Sequence, residues 1–185
     1  MYITKKIQIS LVVFALLFAA SIITSNFIHS DFVPNLNVYA QQPQQQFIAN
    51  LIGDAEVPPT NINSTGDATL KMSNNDQKEI QYSLNVMNLQ GITEAHIHNG
   101  LEGVNGPVIV TLYKSPSPLS ASNKSLAIDG RITATQLEGS LIGKPLTELL
   151  SLMNNGSTYV NVHTEQNPMG AIRGQIISEQ VEANL

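Results

Sequence analysis

Short alternating runs of apolar and polar residues recur about every ten positions from Phe47 onward. Each run has the length of a strand, and turn-forming residues such as Pro58-Pro59 and Asn167-Pro168 separate it from the next. The pattern predicts strands near 47–52, 67–73, 79–86, 92–98, 108–113, 126–133, 158–163 and 171–177. About eight strands at this spacing predict an all-β fold, an antiparallel Greek-key sandwich or flattened barrel.

One short helix is predicted among these strands, over 147–153. Pro145 precedes it and Gly156 follows the expected stop. Its apolar stripe has the helical spacing i, i+3, i+4 and i+7 and consists of Leu146, Leu149, Leu150 and Met153. We expect the helix to cover one end of the β-structure.

The first forty residues have the pattern of an export signal. Lys5-Lys6 precede an apolar run from Ile7 to Ile23, and Val38-Tyr39-Ala40 offers small residues at a cleavage site before Gln41. A retained membrane anchor is the alternative interpretation, because the apolar run approaches the roughly 18 residues of a credible span. The predicted organisation is a signal or anchor over 1–40, a glutamine-rich spacer over 41–46, one domain over 47–178 and a tail over 179–185.

Charge and cysteine content exclude several classes of function. The chain has 9 basic and 14 acidic side chains, a net charge of -5, which argues against nucleic-acid binding and against a polybasic lipid-binding surface. A membrane contact is expected only through an uncleaved N-terminal segment. The chain has no cysteine, which excludes thiolate nucleophiles, iron–sulfur clusters and disulfides. It also lacks a nucleophile-elbow motif and a nucleotide-binding glycine motif, so no catalytic or organic-cofactor residue is assigned.

Two predicted strands carry three of the four histidines. In Ala95-His96-Ile97-His98 and Tyr159-Val160-Asn161-Val162-His163-Thr164 the apolar residues alternate with the histidines, which therefore share the outer face. Three imidazoles from two strands suit copper, and zinc less well, because the affinity order of divalent ions favours copper. The alternative is that the histidines are ordinary polar residues held by hydrogen bonds beside turns.

Other polar residues have subordinate roles in this hypothesis. Asn161, Glu94 and Glu102 are candidate acceptors for the ring nitrogens that do not bind the metal.

The spacing of Asp54, Glu56 and Asp67 does not fit an EF-hand loop, so these acids are interpreted as a solvated face. Glycosylation is possible at three sequons, which begin at Asn63, Asn123 and Asn155.

The chain resembles the chordin-type (CHRD) domain family over nearly its whole length after residue 46. The segments that carry this resemblance are Phe47 to Pro59, Gly66-Asp67-Ala68, Leu89 to His98, Asn105 to Val108, Tyr159 to Thr164 and Asn167 to Gln175. The resemblance implies an extracellular domain, since the family includes signalling antagonists of animals and exported microbial proteins.

The order of the elements also resembles, more weakly, that of copper/zinc superoxide dismutases. That resemblance implies copper ligands at His96, His98 and His163, and an anion-guiding role for Arg173. It does not extend to the zinc-binding loop or the disulfide, because no histidine lies between His98 and His163 and the chain has no cysteine. The other interpretation of Arg173 is structural, a guanidinium that holds loop carbonyls or a carboxylate.

Three functions are consistent with these residues. The first is a secreted or extracytoplasmic, non-enzymatic module that binds an extracellular or envelope protein and holds copper through the three histidines. The second is a copper-dependent redox enzyme with superoxide dismutase-like chemistry. The third is a structural or adhesive module without metal.

Overall fold

The structure is a computed structural model that describes residues 45–73, 78–121 and 125–179. The predicted signal or anchor, residues 41–44 of the spacer, Asn123 and residues 180–185 lie outside the described residues. Within those described ranges, no helix is long and apolar enough to cross a membrane.

In the described part of the chain, nine antiparallel strands form a nearly closed, barrel-like sheet, which is accompanied by one α-helix. The strands and the helix are β1 (Gln46–Ile52), β2 (Thr65–Met72), β3 (Glu79–Met87), β4 (Ile92–Asn99), β5 (Val108–Leu119), β6 (Ser125–Thr133), α1 (Leu146–Asn154), β7 (Thr158–Thr164), β8 (Ile172–Gln175) and β9 (Ile177–Glu179). The order across the sheet is β5-β4-β7-β8-β1-β2-β3-β6, and β9 pairs with β1. The all-β prediction is confirmed, and α1 forms where the helix was predicted.

The core is filled by the alternate apolar residues of the strands and by one face of α1. Its fully buried members include Phe47, Leu51, Leu70, Leu84, Ile92, Ile97, Ile109, Leu149, Val160 and Ile172. The predicted stripe of α1 packs into this cluster, since Leu146, Leu149, Leu150 and Met153 are all buried.

The gap between the end strands β5 and β6 is crossed by Tyr82. Tyr82 pairs with Gly130 across β3 and β6, and its hydroxyl donates a hydrogen bond to the Leu112 carbonyl of β5. A Cβ on Gly130 would lie 2.4 Å from the Tyr82 hydroxyl. The absence of a side chain at Gly130 therefore gives the tyrosine its path across the gap.

Two strand boundaries differ from the prediction. β5 continues beyond the predicted end at residue 113 and runs through Pro116 and Pro118 to Leu119. It is an end strand, and its register with β4 is irregular between Glu94 and Ile92. An end strand tolerates proline, since one row of its N–H groups has no ladder partner. The predicted strand over 171–177 divides into β8 and β9, which pair with β7 and β1 respectively.

Candidate metal centre

The three histidines of the two predicted strands lie together on β4 and β7. These strands pair in antiparallel register, with His96 opposite Asn161, His98 opposite Tyr159 and Glu94 opposite His163. Residues on the other face, such as Ala95 and Val162, are completely buried in the core. The strand alternation thus places all three imidazoles on the face that points away from the core.

The imidazoles converge on a common point. One ring nitrogen from each of His96, His98 and His163 lies within 4.8 Å of the other two. Two nitrogens bound at about 2.0–2.1 Å to one ion are at most about 4.2 Å apart, so rotation of the rings is needed to bring the three nitrogens into one coordination sphere. A three-histidine cluster that can hold a metal ion is therefore present.

The cluster is buried, which differs from the exposed exterior site expected from the sequence. Each of the three histidines is only 8% exposed. The loops around Gly106 and Pro168 contact the rings, because their carbonyl oxygens lie 2.9 Å from His98 Nδ1 and 3.1 Å from His163 Nδ1. The strand alternation predicts the face of a residue, but it contains no information on loops that cover that face.

These two carbonyls assign the tautomers of His98 and His163. A carbonyl only accepts hydrogen bonds, so Nδ1 of each ring is the donor and Nε2 carries the free electron pair. Both Nε2 atoms are buried and have no hydrogen-bond partner among the described residues. The groups that accept hydrogen bonds from these two rings are therefore backbone carbonyls. The expected candidates differ, since Glu102 is exposed and Asn161 is bonded to Glu56.

In His96 the nitrogen without a partner among the described residues is Nδ1, whereas in the other two rings it is Nε2. The Nε2 of His96 lies 3.7 Å from Glu94 Oε2, whereas its buried Nδ1 has no partner within the described part of the chain. The Glu94 carboxylate is held in turn by Lys114, whose ammonium is 2.7 Å away. Of the three side chains expected to accept hydrogen bonds from these rings, Glu94 is the one recorded in an ion-pair contact with a ring nitrogen, at 3.7 Å.

Burial keeps the imidazoles neutral. Desolvation, reinforced by the adjacent His163 and His98, lowers the pKa of His96 from 6.5 to about 4. Desolvation also lowers the pKa of His98 and of His163. At neutral pH the three rings therefore offer free electron pairs, the form that binds a metal.

Arg173 is buried and is not part of the cluster. Its guanidinium donates hydrogen bonds to Asn105 Oδ1 at 3.1 Å, to the Leu101 carbonyl at 3.0 Å and to the Val104 carbonyl at 2.9 Å. It also lies over the ring of Tyr159, 3.5 Å from the centroid. With 2% of the residue exposed, Arg173 supports the loop from Leu101 to Gly106, the structural one of the two roles considered.

Glu56 is the site residue that sequence reasoning missed. It was interpreted as part of a solvated face with Asp54 and Asp67, but it is only 5% exposed, whereas the other two acids are exposed. Its Oε2 accepts a hydrogen bond from Asn161 Nδ2 at 3.3 Å. Desolvation raises the pKa of Glu56 to about 7, although Asn161 and Arg173 oppose the shift. Because the contacts are distant in sequence, no local pattern signals this burial.

Comparison with known proteins identifies the family. A family model of the CHRD domain matches residues 47–176. The chain belongs to the CHRD domain family. CHRD domains occur in extracellular proteins, and membership favours a non-enzymatic module. No curated protein and no solved structure matches the chain. The weaker resemblance to copper/zinc superoxide dismutases is not confirmed by these comparisons.

Proposed function

We propose that this CHRD domain is an exported, non-enzymatic binding module that holds one copper ion through His96, His98 and His163. One observation carries the proposal: one ring nitrogen of each buried histidine lies within 4.8 Å of the other two, and each ring has a buried nitrogen without a partner among the described residues. A buried polar atom without a partner costs about 1–3 kcal/mol, and a metal ion removes that cost at all three atoms together. When bound, the ion would tie β4 to β7.

Copper is proposed over zinc on the chemistry of the donors. Imidazole binds both ions, and the general affinity order places copper above zinc at a nitrogen site of this kind. Competition between the two ions for the purified protein tests this choice directly, with excess zinc expected to leave copper bound.

The redox-enzyme alternative is less well supported by the surroundings of the histidines. Steering of superoxide needs an accessible cation near the metal. Arg173 is buried and the ring of Tyr159 lies between it and His98. Lys114 is paired with Glu94. We therefore propose that the protein holds copper and does not use it in catalysis. The copper-loaded protein should remove superoxide no faster than the same amount of free copper does.

Copper uptake by the purified protein is the decisive experiment. We expect about one copper per chain, and loss of that uptake in the double variant His98→Ala, His163→Ala. His96→Ala should weaken uptake in the same way. If the wild-type protein takes up no copper, or the double variant takes up as much, the metal site is refuted and the metal-free adhesive module is the remaining function.

Export and the partner are tested separately. Recovery of the protein outside the cytoplasm with Gln41 at its N-terminus would support a cleaved signal, and an intact N-terminus in the membrane fraction would support an anchor. Cross-linking on intact cells, with and without a copper chelator, should capture an extracellular or envelope protein. Capture that depends on copper would connect the site to the partner.

A further inference from the structure

Asn161 is placed at the centre of the histidine face. It lies on β7 between Tyr159 and His163 and directly opposite His96 on β4. It is 2% exposed, and its Oδ1 has no hydrogen-bond partner among the described residues. Asn161 therefore adds a buried, unpartnered oxygen acceptor to the strand face that carries the three histidines.

The orientation of the Asn161 amide is determined by Glu56. The amide nitrogen donates to Glu56 Oε2 at 3.3 Å. An ionised carboxylate accepts hydrogen bonds only, so the nitrogen must face Glu56 and the oxygen must be turned away from it. The Glu56 carboxylate lies next to Gly170, the residue two positions before β8, because a Cβ added to this glycine would be 2.7 Å from both carboxylate oxygens. The carboxylate is therefore on the side of β7 that faces β8. His96 lies on the opposite side of β7, on β4.

We propose that Asn161 Oδ1 is the fourth protein donor of the metal site and that Glu56 is the positioning residue that aims it. The inference rests on the proposed copper site. Three nitrogens and one oxygen form a donor set that suits Cu(II). With the amide oxygen as a fourth donor, the equatorial plane of a tetragonal Cu(II) site is closed to an incoming substrate, which agrees with holding of copper rather than catalysis.

Solvent access to the bound copper tests this closure. Electron paramagnetic resonance of the copper-loaded full chain, at pH 8 in water enriched in oxygen-17, reports whether a water molecule binds the ion. The wild-type protein should show no water in an equatorial position of the copper ion. Asn161→Ala should gain one, with copper binding weakened about tenfold or more. Asn161→Leu, which preserves volume, is a second variant for the case that the alanine variant does not fold.

Glu56→Gln separates positioning from ligation. A glutamine can present either its carbonyl oxygen or its amide NH2 to Asn161, so it no longer fixes the orientation of the Asn161 amide. In the molecules in which the Asn161 oxygen is turned away from the copper, a water should bind in its place and give the oxygen-17 signal. The matched control is Asn85→Ala, since Asn85 Nδ2 donates to Asp67 Oδ2 at 2.9 Å in the same kind of amide–carboxylate pair away from the histidines. That control should leave the copper spectrum unchanged.

The outcomes distinguish this inference from the proposed function. If the wild-type protein binds copper through the histidines but already shows bound water, and Asn161→Ala and Asn161→Leu leave the spectrum unchanged, the fourth donor is refuted and the copper site stands. If Asn161→Ala changes the spectrum but Glu56→Gln does not, the positioning role of Glu56 is refuted. If the wild-type protein takes up no copper, the proposed function itself fails.

Discussion

Arg173 packs on Tyr159, with its guanidinium carbon 3.5 Å from the ring centroid. The imidazole of His98 stacks on the same ring, nearly parallel at 6° and 4.8 Å between centroids. Because β8 and β4 flank β7 on opposite sides, Tyr159 lies between the arginine and the histidine. The tyrosine hydroxyl also accepts a hydrogen bond from the Gly106 amide at 3.1 Å. This stack connects the loop that Arg173 holds to one of the candidate ligands.

Arg173→Lys should destabilise the fold although it preserves the charge. A lysine cannot reproduce the planar fork that bonds Asn105 and the carbonyls of Leu101 and Val104, so buried acceptors would lose their partners. We expect a loss of about 2–4 kcal/mol in the free energy of unfolding, measured by denaturant titration. Arg131→Lys is the control, since its ion pair with Glu79 is exposed and should change stability by less than about 1 kcal/mol. Equal effects of the two substitutions would contradict the structural role of Arg173.

Copper binding should quench tyrosine fluorescence through Tyr159. The protein contains five tyrosines and no tryptophan, so its emission reports tyrosine alone. Among the described aromatic contacts, Tyr159 is the tyrosine that stacks on a candidate ligand. Stoichiometric Cu(II) should reduce the emission, whereas Zn(II) should not. The Tyr159→Phe variant should lose most of this quenching and still bind copper, and undiminished quenching in that variant would place the ion elsewhere.

Glu56→Gln should remove a pH dependence from the metal-free protein. The pKa of Glu56 is raised from 4.5 to about 7, so its contribution to stability is fully present below pH 4.5 and is lost as the pH rises through 7. Residue 56 of the variant is neutral at every pH. The melting temperature of the variant minus that of the wild type should therefore increase between pH 5 and pH 8. An increase of a few degrees is expected, since 1 kcal/mol corresponds to about 2–4 °C for a protein of this size.

The difference between the two proteins is the quantity to compare, because the histidines titrate in the opposite direction. Their lowered pKa values give a contribution that is present above pH 6.5 and is lost on acidification, and this contribution is common to both proteins. Glu102→Gln, at an exposed acid, serves as control. A melting difference that stays constant with pH would show that Glu56 is not perturbed.

Gly106→Ala should disrupt the loop that orients His98. A Cβ at this position would lie 1.7 Å from the Asn99 carbonyl oxygen, which is backbone and cannot move aside alone. The Gly106 carbonyl that accepts from His98 Nδ1 would shift with the loop. We expect a loss of more than about 2 kcal/mol in the free energy of unfolding and weaker copper binding. Glu102→Ala, in the same loop but exposed, should be close to neutral in both measurements, and a neutral Gly106→Ala would show that the loop accommodates a side chain here.

The strand pattern and the helix stripe were predictable because each depends on local periodicity. Alternation in Ala95-His96-Ile97-His98 indicates which side chains share a face, and burial of Ala95 and Ile97 follows that pattern. The covering loops were not predictable. The carbonyls of Gly106 and Pro168 and the acid of Glu56 reach the site from outside β4 and β7, and backbone carbonyls carry no side-chain signal in the sequence.

The class of fold, the family and the common face of the three imidazoles follow from local patterns, because periods of two residues and short turn signals act over neighbouring positions. Only the folded chain shows that β4 lies beside β7, that the three rings converge, and that loops bury the rings and keep them neutral. These properties depend on strand pairing between segments about sixty residues apart and on desolvation by the packed loops. Neither the pairing nor the desolvation can be read from one local segment of the sequence.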